Sequence, residues 1–119
     1  MFVAKYPDWL AEVRYESERT VFFDGAKDLF KYLFNHQTYE PKGSANEFAG
    51  IFVTDYYAIE PIDARKAFFV VGSDVYGPMG RELIPFKSRE DASEFLRDHH
   101  GERIVLFKNV SSALTNSLD

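Results

Sequence analysis

The chain of 119 residues contains no cysteine. That absence removes disulfide frameworks, thiol nucleophiles and cysteine-bound zinc from its chemistry. It does not fix the compartment, since many exported proteins also lack disulfides. An apolar run of the roughly 18 residues needed for a membrane-spanning helix is missing as well. Basic residues are outnumbered: 14 Lys and Arg against 19 Asp and Glu give a net charge of -5. That is the wrong sign for a phosphate backbone, so nucleic acid is not expected as a partner. Mild acidity is compatible with a metal cation or a basic protein as partner, but is usually just solubility. Residues 1–10 hold Lys5, Pro7 and Asp8 and do not read as a signal peptide; for an exported protein the leader is expected upstream. No serine with a paired histidine and acid, no phosphate-cradling loop and no dinucleotide glycine pattern occurs. The chain is therefore not expected to be an enzyme.

Methionine is scarce too, with two in the chain. One is Met1. The other lies in Tyr76-Gly77-Pro78-Met79-Gly80, a glycine-rich loop rather than a core-facing run. A thioether is the softest neutral ligand a protein offers, and soft ligands select Cu(I). Met79 is thus a candidate metal ligand, against the plainer reading of an apolar residue packed in a loop. Gly77, Pro78 and Gly80 would shape that loop so that the sulfur points outward. Met1 is a second candidate thioether, against an unstructured first residue.

The remainder reads as alternating short elements. Trp9, Ala11, Val13 and Tyr15 alternate with Leu10, Glu12 and Arg14 as in a half-buried strand, and residues 20–23 follow as its hairpin partner. Asp24 is placed to cap the next helix, with a position near a metal as the alternative. Leu29, Phe30, Leu33 and Phe34 make an amphipathic face over residues 26–35. Residues 36–50 read as a loop and residues 51–56 as a strand. Residues 59–66, with Pro61, read as a connector. Residues 67–72 form an apolar strand, residues 73–82 the glycine loop, and residues 83–86 a strand that Pro85 assigns to an edge. Ser88 and Asp91 have capping-box spacing. Phe95 and Leu96 are core positions of the second helix, Gly101 is placed to stop it, and residues 103–108 close the pattern. His36, His99 and His100 lie at helix ends, where the dipole favours a solvated cation. Residues 111–119 are polar and expected to fray.

The order strand, strand, helix, strand therefore occurs twice. The expected fold class is α+β, two ββαβ units with helices packed on small, mostly antiparallel sheets. The chain is expected to be one domain over residues 1–119, with units at about 8–57 and 66–109 and a tail at 111–119.

The segments Tyr6-Pro7-Asp8-Trp9, Phe22-Phe23-Asp24-Gly25-Ala26-Lys27 and Val53-Thr54-Asp55-Tyr56-Tyr57 resemble one family. So do Phe69-Val70-Val71-Gly72-Ser73-Asp74, the Tyr76-to-Gly80 motif and the closing helix–strand unit. The family is NosL, copper chaperones that accompany nitrous oxide reductase. The resemblance runs over nearly the whole chain and implies two ββαβ units, a fold related to that of the organomercurial lyase, whose catalytic cysteines this chain lacks. It further implies a bacterial envelope or periplasmic protein, often lipid-anchored, that carries Cu(I) to nitrous oxide reductase and its copper-assembly machinery. Met79 matches a family methionine. NosL-like proteins also carry a Cys-x-Met motif just upstream of the stretch resembling residues 2–9. Met1 falls at that motif's methionine, and the cysteine is absent. The alternative is a metal-free protein-interaction domain that keeps the NosL fold.

Overall fold

Ala11, Val13 and Tyr15 are buried while Arg14 between them is exposed, and this two-residue period makes β1 (Ala11–Tyr15) the centre of a sheet. In this computed structural model, residues 7–39, 48–78 and 80–119 are described, with the backbone alone for residues 36–39. A 3-10 turn at Pro7–Trp9 precedes β1. A turn with Glu18 at φ 71° leads to β2 (Thr20–Phe23), which pairs antiparallel to β1 with Val13 opposite Val21. Helix α1 (Ala26–Tyr39) follows. Next, β3 (Phe48–Thr54) returns along the other side of β1, with Val13 opposite Ile51.

The second unit repeats this plan. Central β5 (Phe68–Val71) is flanked by β6 (Ile84–Phe86) and, after α2 (Arg89–Asp98), by β7 (Arg103–Leu106). The two sheets have the orders β2-β1-β3-β4 and β6-β5-β7, all antiparallel. In each, the first strand of the unit lies in the middle. This is the α+β fold of two ββαβ units. Pro85 does occupy an edge strand, where a missing N–H leaves no ladder bond unmade.

Several elements differ from the sequence reading. Helix α1 runs a turn past residue 35. The expected connector contains β4 (Pro61–Asp63), an edge strand against β3, and a 3-10 turn at Ala64–Lys66 capped by Asp63. The tail folds as α3 (Ser112–Ser117), with Ser111 accepting from Leu114 N–H at 3.1 Å. Its Thr115 and the adjacent Val110 and Leu118 are buried. Asp119 accepts from Lys31 of α1 at 2.6 Å.

Helix α2 begins as expected, with Ser88 Oγ accepting from Asp91 N–H at 3.1 Å. It ends differently. His100, at φ 56°, takes the left-handed position, and Gly101 N–H donates to Leu96 O at 2.8 Å, closing a Schellman turn. Gly101 is needed for packing, because a Cβ there would lie 2.8 Å from Val70 Cγ1.

One apolar cluster spans both units. Leu29, Phe30, Val13 and Ile51 share it with Phe69, Val71, Leu83 and Val105. Phe30 of α1 meets Phe69 edge-on at 5.4 Å and Phe107 at 5.2 Å between ring centroids. A second cluster under α2 joins Val70, Ile84, Phe86 and Phe95, with Trp9 and Tyr56 packed against it. Buried Asp55 accepts from Ala58 N–H of its own turn at 2.7 Å and, across the units, from Lys87 N–H at 2.8 Å, and Tyr56 N–H donates to Pro85 O at 2.9 Å.

Candidate metal centre

Glycine and an acid fix the loop between β5 and β6 at both ends. Gly72 leaves β5 at φ 77°, a conformation that glycine adopts without steric penalty. Asp74 clips the loop to the end of α2. Its N–H donates to His99 O at 2.9 Å, and its Oδ1 lies 2.8 Å from His99 Nδ1. The His99 ring packs on Phe95, with centroids 4.4 Å apart. His99 is therefore held in a specific pair rather than left as a solvated helix-end residue. The partners are 25 residues apart, so no local pattern marks them.

Farther along, Gly77 and Gly80 exchange backbone hydrogen bonds of 2.8 and 3.1 Å, and Gly80 has φ 96°. This exchange closes a two-residue turn. Pro78 is half-buried. Met79 and Met1 lie outside the described residues, as does the side chain of His36.

The loop ends in a side chain that behaves unlike its neighbours. Tyr76 is 59% exposed, but Glu82, the last residue of the glycine loop, is only 3% exposed. Its Oε1 accepts from Lys27 N–H at 2.6 Å and Leu83 N–H at 2.9 Å. Glu82 thus supplies the acceptor at the start of α1, the role expected of Asp24. Asp24 itself is half-buried in the bend before the helix. Glu82 Oε2 is buried without a hydrogen-bond partner. Burial pushes the carboxyl up to about 7, opposed by the hydrogen bonds from Leu83 and Lys27 and by the Lys27 charge. Nothing local distinguishes Glu82 from a surface acid; its burial follows from a contact 55 residues away.

Glycines make room for this side chain. A Cβ at position 25 would overlap Glu82 Oε2 and come within 3.0 Å of Cδ. A Cβ at position 77 would lie 3.3 Å from Glu82 Cγ and 3.4 Å from Trp9 Cε3. The 3-10 turn at the beginning of the chain thus lies against the glycine loop. Beside them opens a cleft of about 470 Å³, lined in part by Tyr76, Glu82, Arg103, Leu114 and Leu118. Among the described residues, no three His, Cys, Asp or Glu side chains come together as a metal cluster, and no helix is long and apolar enough to cross a membrane.

Comparison with known proteins gives this arrangement a context. The family model described as NosL matches residues 1–115. Over 53 residues the chain is 40% identical to the copper-binding lipoprotein NosL of Stutzerimonas stutzeri, an alignment covering 44% of this chain and 27% of that protein. The chain thus matches little more than a quarter of that relative's length. The fold is similar to the crystal structure of the copper chaperone NosL from Shewanella denitrificans, with a TM-score of 0.72 and 26% identity over 87% of this chain and 79% of that one. It is also similar to the solution structure of the apo-NosL protein from Achromobacter cycloclastes, with a TM-score of 0.57 and 27% identity over 88% and 87% of the two chains. With a family match that runs through both ββαβ units, the chain belongs to the NosL family.

Proposed function

We propose that this chain carries Cu(I) as cargo and hands it on during assembly of the copper sites of nitrous oxide reductase. Met79 on the glycine loop would be one soft ligand, with a second supplied from the start of the chain, where Met1 stands. The observation that carries this reading is the placement of Trp9 against Gly77. Gly77 is two positions before Met79, and Met1 is eight positions before Trp9. At roughly 3.3 Å per residue, those eight positions reach at most about 26 Å, so the start of the chain can meet the loop. Neutral thioethers bind Cu(I) without the charge of a thiolate, which suits transfer by ligand exchange at a protein surface. The names of the relatives support copper as the metal and an envelope location with a lipid anchor. Nitrous oxide reductase and its copper-assembly machinery would then be the partners, and the role is delivery rather than catalysis.

Competition against a Cu(I) chelator tests the reading. Removing a partner behind a metal ligand typically weakens binding about tenfold or more, and removing Met79 itself should do at least as much. Met79→Ala should leave the unfolding midpoint nearly unchanged, since loop substitutions outside the core cost little stability. A form with the upstream Cys-x-Met motif added should bind more tightly than this chain. Equal affinity in all three would remove Met79 and the added cysteine as ligands and favour a metal-free interaction domain.

A further inference from the structure

We propose that Glu82 is a positioning residue that seats the glycine loop on the N-terminus of α1 and so sets where the loop presents its metal ligand. The inference rests on the copper reading for its consequence, but not for its geometry. Glu82 occupies the gap between the helix start and the loop. On the helix side, Oε1 accepts from Lys27 N–H, one of the N–H groups that a helix start leaves without an internal partner. On the loop side, the same oxygen holds Leu83 N–H, and Cγ lies against Gly77, whose backbone closes the turn with Gly80. Two glycines distant in sequence, Gly25 and Gly77, leave the space that this one side chain fills. A surface carboxylate would need neither. The unpartnered Oε2, facing Gly25, is tolerated in exchange for the two bonds made by Oε1.

The contact can be broken from either side. Glu82→Ala removes the acceptor. Gly25→Ala displaces the carboxylate while leaving the loop sequence intact. Glu82→Gln keeps a side-chain oxygen for both N–H groups. Hydrogen exchange at the Gly77 and Gly80 amides reports the loop, amides of β5 report the fold, and chelator competition reports Cu(I). We expect Glu82→Ala and Gly25→Ala each to speed exchange at Gly77 and Gly80 by about tenfold, with β5 little changed, and to weaken Cu(I) binding by about tenfold. Glu82→Gln should restore both values to near those of the parent. Gly25→Ala should add nothing in a Glu82→Ala background, because the side chain it displaces is gone. Loop exchange in Glu82→Ala equal to the parent would overturn the proposal. So would a uniform rise across β5 and the loop, which marks a merely structural residue, or faster loop exchange with unchanged Cu(I) affinity. A parent chain that binds no Cu(I) would defeat the copper reading, while the exchange data would still decide whether Glu82 seats the loop.

Discussion

Glu82 makes stability depend on pH. Its carboxyl is raised from an ordinary 4.5 to about 7 by burial, against the pull of the Leu83 and Lys27 N–H groups and the Lys27 charge, with Asp28 pushing the same way as burial. A folded-state value above the unfolded one gives a contribution that is full below the unfolded value and lost as pH rises through the folded value. The shift corresponds to about 3 kcal/mol. Glu82→Gln stays neutral throughout and should lack this slope. Its unfolding free energy relative to the parent should rise by up to about 3 kcal/mol between about pH 5 and about pH 8. Denaturant unfolding at the two pH values measures the gap, and an unchanged gap would mean that the carboxyl titrates as if in water. At this scale the sequence is legible where the cause is local. Ser88 caps α2 because its acceptor lies three residues from the N–H it serves. Glu82 at the start of α1 and His99 beside Asp74 were not legible, because their partners lie 55 and 25 residues away. His100 shows a subtler failure. Glycine is the usual left-handed residue after a helix, yet here the preceding histidine takes that conformation and Gly101 is kept for its close approach to Val70.

Elements with a periodic apolar stripe were readable, and those made by docking were not. Leu29, Phe30 and Leu33 are buried as their spacing requires. The last turn of α1 leaves no mark in the pattern, because the residues after Phe34 extend the helix without extending the stripe. Pro61 suggests a break, yet as the first residue of edge strand β4 it needs no N–H in the ladder. Helix α3 has only six residues, too short to be stable in isolation. It is held by what it touches: Leu118 enters the main cluster, and Asp119 meets Lys31, whose hydrogen bond keeps that carboxyl below its ordinary value. Leu118→Ala should therefore cost about 2 kcal/mol, the low end for a buried leucine, because the site lies at the chain end where neighbours can relax. Thermal or denaturant unfolding checks the cost. A loss near zero would return residues 111–119 to the fraying tail that their composition suggests.

For the whole molecule, the repeated ββαβ order predicted the strand plan of each half but not how the halves share a core. That depends on contacts between rings distant in sequence, above all Phe30 with Phe69 and Phe107, and on Asp55 and Tyr56, which join the end of β3 to β6 and the start of α2. A cluster that mixes side chains from both sheets cannot be lost from one alone, so the two units should unfold in a single transition. Phe30→Ala tests this from one side of the molecule. It removes a fully buried ring and should cost about 4 kcal/mol. Trp9, the single tryptophan, reports from elsewhere, packed against the second cluster and 5.8 Å from the Tyr56 ring. If the units are coupled through the shared core, Trp9 fluorescence and far-UV circular dichroism will trace coincident curves in parent and variant, both moved to lower denaturant by Phe30→Ala. If the units are independent, the variant will lose part of its dichroism early while Trp9 holds its parental midpoint. The glycine loop, attached to the second unit and seated on the helix of the first, would then keep its frame on one side only.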